Sequence, residues 1–272
     1  MPLHCGQFKL DLSRPLVMGI VNVTPDSFSD GGRGADAALR HALELLEQGA
    51  DILDIGGEST RPGAAPVSEQ QELDRVLPVL EGLRGVAVPL SIDTYKPVVM
   101  RAALAAGASM VNDVDAFQAD GAFEAVADSG AALCVMHRKG SAQTMQLQPS
   151  YEDVVAEVMA FLHGRIVAAQ QHCIARDRIV VDPGFGFGKT LEHNLTLLRE
   201  LDALSCLGVP VLAGISRKSM IGMLTGRDVE QRAFGSVAAA LMAVEHGARI
   251  VRVHDVAGTV DALKVWQAVR QD

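Results

Sequence analysis

Gly49-Ala50-Asp51-Ile52-Leu53 is the first of four copies of one short phrase: Gly-Ala, one further residue, then a run of apolar side chains. The other copies are Gly107-Ala108-Ser109-Met110-Val111, Gly130-Ala131-Ala132-Leu133-Cys134 and Gly247-Ala248-Arg249-Ile250-Val251. A glycine just past a helix supplies the left-handed residue that closes it, and the apolar run predicts a buried strand. Each phrase therefore predicts a short connection from a helix to a strand.

Amphipathic segments lie between these junctions. In the first of them, Leu39, Leu43 and Leu46 recur at the three-to-four spacing of a helix with one buried face. Ser68 and Gln71 form a capping-box pattern that opens the next helix. The eight predicted helices cover residues 36–48, a segment beginning after Ser68, 97–106, 121–129, 151–172, 191–204, 232–246 and 256–270.

Eight strands are predicted to alternate with these helices, at residues 16–21, 52–55, 90–92, 110–111, 133–136, 179–181, 211–213 and 250–253. Strict alternation implies parallel strands with right-handed crossovers, and eight such units in 272 residues favour an α/β fold, a closed (β/α)8 TIM barrel. An open doubly wound sheet is the alternative. We expect one domain over residues 1–272, with a short N-terminal β extension where Phe8, Leu10 and Leu12 alternate with polar residues.

Composition and charge restrict the classes of function. Hydrophobic residues make up 49% and aromatic residues 4%, which suits the aliphatic core of a parallel sheet. The net charge of −9 argues against a nucleic-acid partner, because no basic surplus exists to neutralise phosphates. No apolar run approaches the ~18 residues of a membrane span, and the four cysteines show no metal-site spacing. A cytoplasmic protein with no membrane partner is expected.

The connections after three strands are long, at residues 23–35, 56–67 and 137–150. Long loops in a compact domain are usually functional, and all three fall on the face where barrel enzymes place their sites. Polar residues also follow every predicted strand, and their side chains are expected to converge on one ligand at the barrel mouth. They are Asn22, Glu58, Thr60, Arg61, Asp93, Asn112, Asp113, His137, Asp182, Ser216, Arg217, Lys218, Ser219, Arg252, His254 and Asp255.

This set divides into two chemical halves. Asp93, Asn112 and Asp182 suit a flat heterocycle that presents several N–H groups, such as an aminopyrimidinone edge. The structural alternative is that Asp182 caps a turn and Asp93 caps the helix near Pro97. The other half is cationic and suits an anion such as pyrophosphate beside Asn22; its members are Arg61, Arg217, Lys218, Arg252 and His254.

The glycine-rich segment 183–190 resembles a nucleotide phosphate loop, but Pro183 occupies the position of the first required glycine. Lys189 likewise stands where a dinucleotide fingerprint needs its last glycine. The glycines are instead expected to let the backbone lie close to a flat ligand, with Phe187 offering a ring face. The segment 214–219 is predicted to end a strand and open a helix whose first amides attract an anion.

Eight motifs in order resemble those of the dihydropteroate synthases, a family of pterin-binding barrels. They begin with Met18-Gly19-Ile20-Val21-Asn22-Val23-Thr24-Pro25-Asp26-Ser27-Phe28-Ser29-Asp30-Gly31-Gly32 and Asp54-Ile55-Gly56-Gly57-Glu58-Ser59-Thr60-Arg61-Pro62-Gly63. The others are residues 91–94, 111–114, 136–137, 182–189, 216–219 and 252–254. The resemblance implies a transferase that joins 6-hydroxymethyl-7,8-dihydropterin pyrophosphate to p-aminobenzoate in folate biosynthesis. It also implies a homodimer and a sulfonamide target.

The resemblance also implies roles for matching residues. The pterin would bind Asp93, Asn112, Met136, Asp182, Phe187 and Lys218. Pyrophosphate would bind Asn22, Arg252 and His254, with Mg²⁺ coordinated at Asn22. The p-aminobenzoate pocket would comprise Phe28, Thr60, Pro62, Lys218 and Ser219. The residues expected to serve catalysis are Asn22, Asp30, Arg61, Asp93, Lys218, Arg252 and His254.

Two features depart from the family pattern. Arg138-Lys139 follows Met136-His137 where Met-Gln is usual, and Asp115 stands where small residues are usual. Both are expected to affect loop behaviour rather than abolish activity. Two alternatives remain: a pterin-binding methyltransferase of the same superfamily, which has no use for the pyrophosphate residues, and a pterin-binding paralogue without turnover.

Overall fold

The computed structural model describes residues 2–24, 34–59, 63–140, 144–145 and 148–270. Two short strands precede the barrel, β1 (Leu3–Cys5) and β2 (Phe8–Leu10). The barrel strands are β3 (Leu16–Asn22), β4 (Ile52–Gly56), β5 (Leu90–Asp93), β6 (Met110–Asp113), β7 (Ala132–Met136), β8 (Ile179–Asp182), β9 (Leu212–Ala213) and β10 (Ile250–Val253).

Helices connect these strands. They are α1 (Gly34–Glu47), α2 (Glu69–Gly82), α3 (Pro97–Ala106), α4 (Ala122–Val126), α5 (Val154–Gln171), α6 (Leu191–Arg199), α7 (Ser219–Thr225), α8 (Ala233–Glu245) and α9 (Val256–Arg270). The predicted helix 191–204 ends early, at Arg199, and the chain continues as a 3-10 helix over Leu201–Leu207. In the described part of the chain, no helix is both long and apolar enough to cross a membrane.

The eight parallel strands form one sheet in the order β8-β7-β6-β5-β4-β3-β10-β9. The two ends of this order meet, because Val181 of β8 bridges Val211, next to β9, in a parallel sense. The Val181 amide donates to the Pro210 carbonyl at 3.0 Å. The sheet is therefore closed, which confirms the (β/α)8 barrel and excludes the open sheet.

The recurring glycines close the helices as predicted. Gly49, Gly107, Gly130 and Gly247 have φ angles of 97°, 115°, 71° and 99°, all in the left-handed region that favours glycine. The capping box at Ser68 is also present: the Gln71 amide donates to Ser68 Oγ at 3.2 Å, and the Ser68 amide donates to Gln71 Oε1 at 3.0 Å. The local sequence thus determines where these elements begin and end.

The N-terminal extension closes one end of the barrel. Strands β1 and β2 pair antiparallel, with Leu3 opposite Leu10. Buried Leu3, Cys5 and Leu12 pack against a cluster of inward-facing apolar residues that includes Leu16, Met18, Ile52, Met110, Val180 and Ile250. Among the described residues, this apolar plug fills the amino-terminal end of the barrel and leaves the carboxyl ends of the strands for a ligand.

Candidate active site

The inward-facing positions become polar toward the carboxyl ends of the strands. Because side chains alternate along a strand, Ile52 and Asp54 face the same side of β4, and so do Ile250 and Arg252 of β10. The strand register places Asp93 beside Asn112, and Met136 beside Asp182. A polar layer therefore lies above the apolar plug.

Arg252 lies at the centre of this layer. Its Nε donates to Asp54 Oδ2 at 2.6 Å, and its Nη2 donates to Asp93 Oδ2 at 2.7 Å. Asn112 Nδ2 donates to the same Asp54 oxygen at 3.1 Å. One guanidinium thus connects strands β4, β5 and β10 across the barrel mouth.

Asp54 is the residue that the sequence-based site lacks. It is fully buried and contacts both Arg252 and Asn112. Its Oδ1 has no hydrogen-bond partner among the described residues. The signal was present: Asp54 lies two residues after buried Ile52 in an otherwise apolar strand, so the period of two places both side chains on the same face.

The local charges perturb several pKa values. Burial raises the pKa of Asp93 to about 7, although the Arg252 charge opposes the shift. Burial also raises the pKa of Asp182, against the opposing charge of Lys218. For Arg252, the Asp54 and Asp93 carboxylates outweigh the cost of burial and raise its pKa above the usual value. The guanidinium therefore stays charged, whereas burial disfavours the ionised form of Asp93.

Lys218 contributes a second cation. Its Nζ donates to the Phe185 carbonyl and lies 4.5 Å from the centre of the Phe187 ring. Burial lowers the pKa of Lys218 to about 8, with Asp182 opposing the shift. Lys218 therefore reaches the carboxylate layer and contacts the ring that the sequence assigned to the pterin pocket.

The remaining described site residues surround this layer. Asn22 is the last residue of β3 and is half-buried. His254 follows β10 directly, and its Nδ1 lies 3.0 Å from Ser216 Oγ, which fixes the orientation of the imidazole. Ser219 is the first residue of α7, the helix predicted after the segment 214–219.

Three residues predicted at the mouth have other partners. The Asp113 carboxylate accepts the Asp115 and Phe117 amides, both at 2.7 Å, so it closes the turn after β6. Arg217 is held by Asp255, with Nε–Oδ2 at 3.1 Å and Nη2–Oδ1 at 2.5 Å. These three side chains have partners within the protein, and their convergence on a ligand stays a prediction. Asp113 alternates with Asn112 along β6, whereas Arg217 and Asp255 lie beyond the ends of β9 and β10.

His137 also has partners within the protein. Its Nδ1 is 2.9 Å from Lys189 Nζ, and its ring packs against Phe161 with the centroids 5.1 Å apart. Burial and the Lys189 charge lower the pKa of His137 to about 3. The imidazole is therefore neutral and packed, and its contact with a ligand at the barrel mouth stays a prediction.

The capping alternatives have different outcomes. Asp182 Oδ1 accepts the Gly184 amide at 2.7 Å, so Asp182 does close the turn before the glycine-rich segment. The helix α3 has no side-chain cap at its start, and Asp93 pairs with Arg252 instead. Asp182 thus orders a loop from within the polar layer, whereas Asp93 does not cap a helix.

The two chemical halves predicted from the sequence are in direct contact. Arg252, assigned to the anion-binding half, bonds Asp54 and Asp93 directly. Lys218 has its pKa set partly by Asp182 and Asp93. The cations lie among the carboxylates because an isolated buried carboxylate cluster would be costly without neutralising partners.

Five predicted site residues lie outside the described residues: Phe28, Asp30, Thr60, Arg61 and Pro62. The two departures from the family pattern, in contrast, are both described and contact each other, because Arg138 forms an ion pair with Asp115. Lys139 Nζ donates to the Ser150 carbonyl at 2.6 Å and to Glu157 Oε2 at 3.1 Å. Through the Arg138–Asp115 ion pair, the residues that depart from the family pattern connect the segments that follow β6 and β7.

The fold and the site together define a (β/α)8-barrel enzyme that binds its substrate at the carboxyl ends of the strands. A family model described as "Pterin binding enzyme" matches residues 18–254. A dihydropteroate synthase of Neisseria meningitidis serogroup C is 53% identical, covering 98% of this chain and 96% of that protein. The chain belongs to the pterin-binding enzymes and, within them, to the dihydropteroate synthases.

Solved structures of dihydropteroate synthases have the same fold as this chain. The Xanthomonas albilineans dihydropteroate synthase with 4-aminobenzoic acid has a TM-score of 0.95 at 57% identity, over 100% of this chain and 98% of that one. The Yersinia pestis dihydropteroate synthase in complex with a sulfonamide drug has a TM-score of 0.95 at 49% identity, over 99% of each chain. Both chains match the full length of the barrel.

Proposed function

We propose that this chain condenses 6-hydroxymethyl-7,8-dihydropterin pyrophosphate with p-aminobenzoate to give 7,8-dihydropteroate and pyrophosphate. The observation that carries the proposal is the buried layer in which Asp93, Asn112 and Asp182 lie with Arg252 and Lys218 at the carboxyl ends of the barrel strands. Membership of the dihydropteroate synthases supports it.

The pterin is proposed to bind in this layer. A carboxylate that accepts two parallel hydrogen bonds matches an aminopyrimidinone edge, which presents a ring N–H beside an exocyclic amine. Asp182 is placed for that contact, and Asn112 is held in orientation by Asp54. Met136, next to Asp182 across the sheet, and the half-buried Phe187 supply apolar surfaces for the ring.

Pyrophosphate is proposed to bind at Asn22, Arg252 and His254. Asn22 offers one amide oxygen, and the described residues contain no cluster of three or more His, Cys, Asp or Glu side chains that could hold a metal. One protein ligand, the Asn22 amide oxygen, is enough for Mg²⁺. This ion usually keeps several waters and is bound by few protein groups together with substrate phosphates. Bound there, Mg²⁺ would help neutralise the charge that develops on the leaving group.

The reaction is proposed to be dissociative. The C–O bond to pyrophosphate breaks first, and the electron pair leaves with pyrophosphate beside Arg252 and His254. The resulting methylene cation is delocalised into the pterin ring, and the arylamine nitrogen then forms the new C–N bond and loses one proton. A secondary isotope effect at the methylene clearly above unity supports this order, and a value near unity contradicts it.

The second substrate is proposed to bind beside Lys218 and Ser219, with Phe28, Thr60 and Pro62 completing its pocket. The Xanthomonas relative binds 4-aminobenzoic acid and the Yersinia relative binds a sulfonamide drug. A sulfonamide resembles p-aminobenzoate in shape and amine, so we propose that sulfonamides compete with it here. Inhibition that increasing p-aminobenzoate does not relieve would contradict this.

A homodimer is also proposed. Exposed apolar side chains cluster on the last two helices: Phe234 of α8 is 90% exposed, and Met242 of α8 and Val265 and Val269 of α9 are exposed as well. Apolar side chains of this size favour contact with a partner surface. Four free cysteines support a reducing compartment, and we place the enzyme in the cytoplasm.

One assay tests the reaction. The purified protein is mixed with the pterin pyrophosphate, p-aminobenzoate and Mg²⁺, and 7,8-dihydropteroate is measured. Product that depends on all three additions is expected. Pterin binding without product would instead identify a silent paralogue, and complementation of a synthase-null strain would fail in the same case.

A further inference from the structure

Lys189 is a buried cation that the proposed reaction does not use. Its side chain is only 3% exposed. Its Nζ donates to the Gly184 carbonyl at 2.9 Å and to the Phe187 carbonyl at 3.1 Å, and it lies 2.9 Å from His137 Nδ1. Within the described ranges it forms no ion pair. Burial lowers the pKa of Lys189 to about 7, with the Asp182 charge opposing the shift. The amine can donate to these neutral acceptors with three N–H groups when it is charged and with two when it is neutral.

The imidazole is suited to this contact. When Lys189 is charged, its ammonium can only donate, so His137 Nδ1 accepts and the ring proton sits on Nε2. Because burial and the nearby Lys189 charge lower the pKa of His137 to about 3, the acceptor lone pair is available at neutral pH. The His137 carbonyl lies 3.4 Å from the same Lys189 Nζ, so one residue offers two acceptors.

The segment that Lys189 binds, Gly184–Gly188, is pressed against the residues after β7. A Cβ added at Gly184 would lie 1.9 Å from the His137 carbonyl oxygen, and one at Gly188 would lie 2.2 Å from the Lys139 carbonyl oxygen. Both glycines have positive φ, at 68° and 65°. The Gly184 and Phe187 carbonyl groups both accept from Lys189 Nζ, so Lys189 fixes the inner side of this segment.

The opposite side of the segment contacts Lys218. The Phe185 carbonyl accepts from Lys218 Nζ, and the Phe187 ring lies 4.5 Å from the same atom. A Cβ at Gly186 would be 3.2 Å from Lys218 Cδ. Three successive residues of one short segment thus define where Lys218 lies, and Lys189 anchors that segment from behind.

We propose that Lys189 is a positioning residue for the pterin pocket: it fixes the segment 184–188 against His137 and thereby sets the positions of the Phe187 ring and of Lys218. The proposal deepens the proposed function and rests on it for the identity of the ligand. Lys189 itself touches neither substrate, so it acts only through Phe187 and Lys218.

The first test replaces the ammonium without changing the length of the stem. Lys189→Met leaves two carbonyls and an imidazole nitrogen without their donor, so the segment loosens. The dissociation constant for the pterin pyrophosphate with Mg²⁺, measured by calorimetry without p-aminobenzoate, is expected to rise about tenfold or more. An unchanged constant in the folded variant contradicts the proposal.

Tyr151→Phe is the matched control. It removes a different hydrogen bond to the same segment, from Tyr151 Oη to the Gly188 carbonyl at 2.8 Å, at the end away from Lys218. Its effect on the dissociation constant is expected to be small, about threefold at most. If both variants weaken pterin binding equally for equal losses of stability, Lys189 has a general structural role and the proposal is wrong.

A readout on Lys218 separates this proposal from the identity of the ligand. The chain has six lysines, so ¹³C labelling at lysine Cε allows each to be observed separately. At a pH well below the Lys218 pKa of about 8, where this group is charged in both proteins, the Phe187 ring 4.5 Å from Nζ should shift the Lys218 Cε and Hε resonances by its ring current. In Lys189→Met this shift should shrink, because the loosened segment no longer holds the ring there. The titration midpoint alone would not decide, because Lys189 and Lys218 repel each other and loss of one charge raises the pKa of the other. An unchanged resonance position contradicts the proposal even if the chain proves to bind another ligand.

Should Lys189→Met fail to fold, Lys189→Gln keeps one donor and takes its place. The wild-type protein provides a further check that needs no variant. Saturation with the pterin pyrophosphate should shift the Cε resonance of Lys189 together with that of Lys218, because the segment joins them. A response of Lys218 alone contradicts the coupling.

Discussion

Asp54 is the residue whose replacement tests the polar layer most simply. Asp54→Asn removes one of the two carboxylates that neutralise Arg252, leaving a buried cation partly unpaired. The free energy of unfolding is expected to fall by about 3 kcal/mol in urea denaturation. Asp51→Asn, which alters the outer Arg14–Asp51 pair just before the same strand, should cost less than about 1 kcal/mol. Equal losses would contradict the role given to Asp54.

Arg252 and Asp182 give a second prediction at this scale. Two ligands are compared, 6-hydroxymethyl-7,8-dihydropterin and its pyrophosphate ester. Arg252→Ala should weaken binding of both, because it leaves Asp54 and Asp93 as uncompensated buried carboxylates. Asp182→Ala should weaken both by about the same factor, because both ligands carry the ring that Asp182 is proposed to bind and the Gly184 hydrogen bond is lost for both. Calorimetry with each ligand gives the loss of affinity in each variant, and at least about tenfold loss is expected for the pterin in either variant. An Arg252 variant that binds the pterin normally would contradict the contact between the two halves.

His137 gives a prediction about pH. Its pKa falls from 6.5 to about 3 on folding, so between these pH values the unfolded chain binds a proton at His137 and the folded protein does not. The stability associated with His137 is therefore present above pH 6.5 and is lost as the pH falls toward about 3. His137→Asn should show a shallower loss of unfolding free energy over that interval. The same change at exposed His163 should leave the shape of the curve unaltered, and identical curves for the two variants would contradict the assignment.

The limits of sequence reasoning at this scale have more than one physical cause. Asp54 was overlooked because a charged residue within an apolar strand gives a weaker signal than one at its end. Arg217 lies beyond the end of β9, where position along the chain no longer fixes the direction of a side chain, whereas Asp113 alternates with Asn112 within β6. Asp93, Asn112 and Asp182 were predicted to be neighbours because they stand at the carboxyl ends of their strands.

At the scale of elements, the glycine-rich segment after β8 has the most restrictive packing. Gly184 and Gly226 share a φ of 68°, but an added Cβ meets a carbonyl oxygen at 1.9 Å in the first case and open space in the second. Gly226→Ala should cost about 1–2 kcal/mol of unfolding free energy, the usual penalty for a left-handed alanine. Gly184→Ala should cost clearly more and should also weaken pterin binding. Equal effects in thermal denaturation and calorimetry would contradict the close packing.

The elements themselves were largely predictable. The Gly-Ala phrases marked four helix-to-strand junctions because a left-handed glycine and a buried apolar run are local requirements. The end of α6 at Arg199 was not visible, since the residues after it keep a helical apolar spacing while the chain tightens into a 3-10 helix. The bridge from Val181 to Val211 depends on closure of the whole barrel, and strict alternation of strand and helix was its only sequence signal.

For the whole molecule, the exposed apolar side chains of α8 and α9 predict self-association. Phe234→Glu places a charge at the most exposed of them and should convert a dimer to a monomer in light scattering. Leu43→Glu, an exposed apolar position on α1, is the control and should leave the mass unchanged. A wild-type protein that is monomeric at micromolar concentration would contradict the dimer.

The central claim is that one cavity at the carboxyl ends of the strands binds the pterin through Asp93, Asn112, Asp182 and Lys218. The most direct measurement is a crystal structure of this chain with 6-hydroxymethyl-7,8-dihydropterin pyrophosphate and Mg²⁺. The account predicts the aminopyrimidinone edge within hydrogen-bond distance of Asp182 and Asn112, with the pyrophosphate toward Asn22 and His254. A pterin bound elsewhere, or reversed so that its pyrophosphate lies on Asp182, would contradict it.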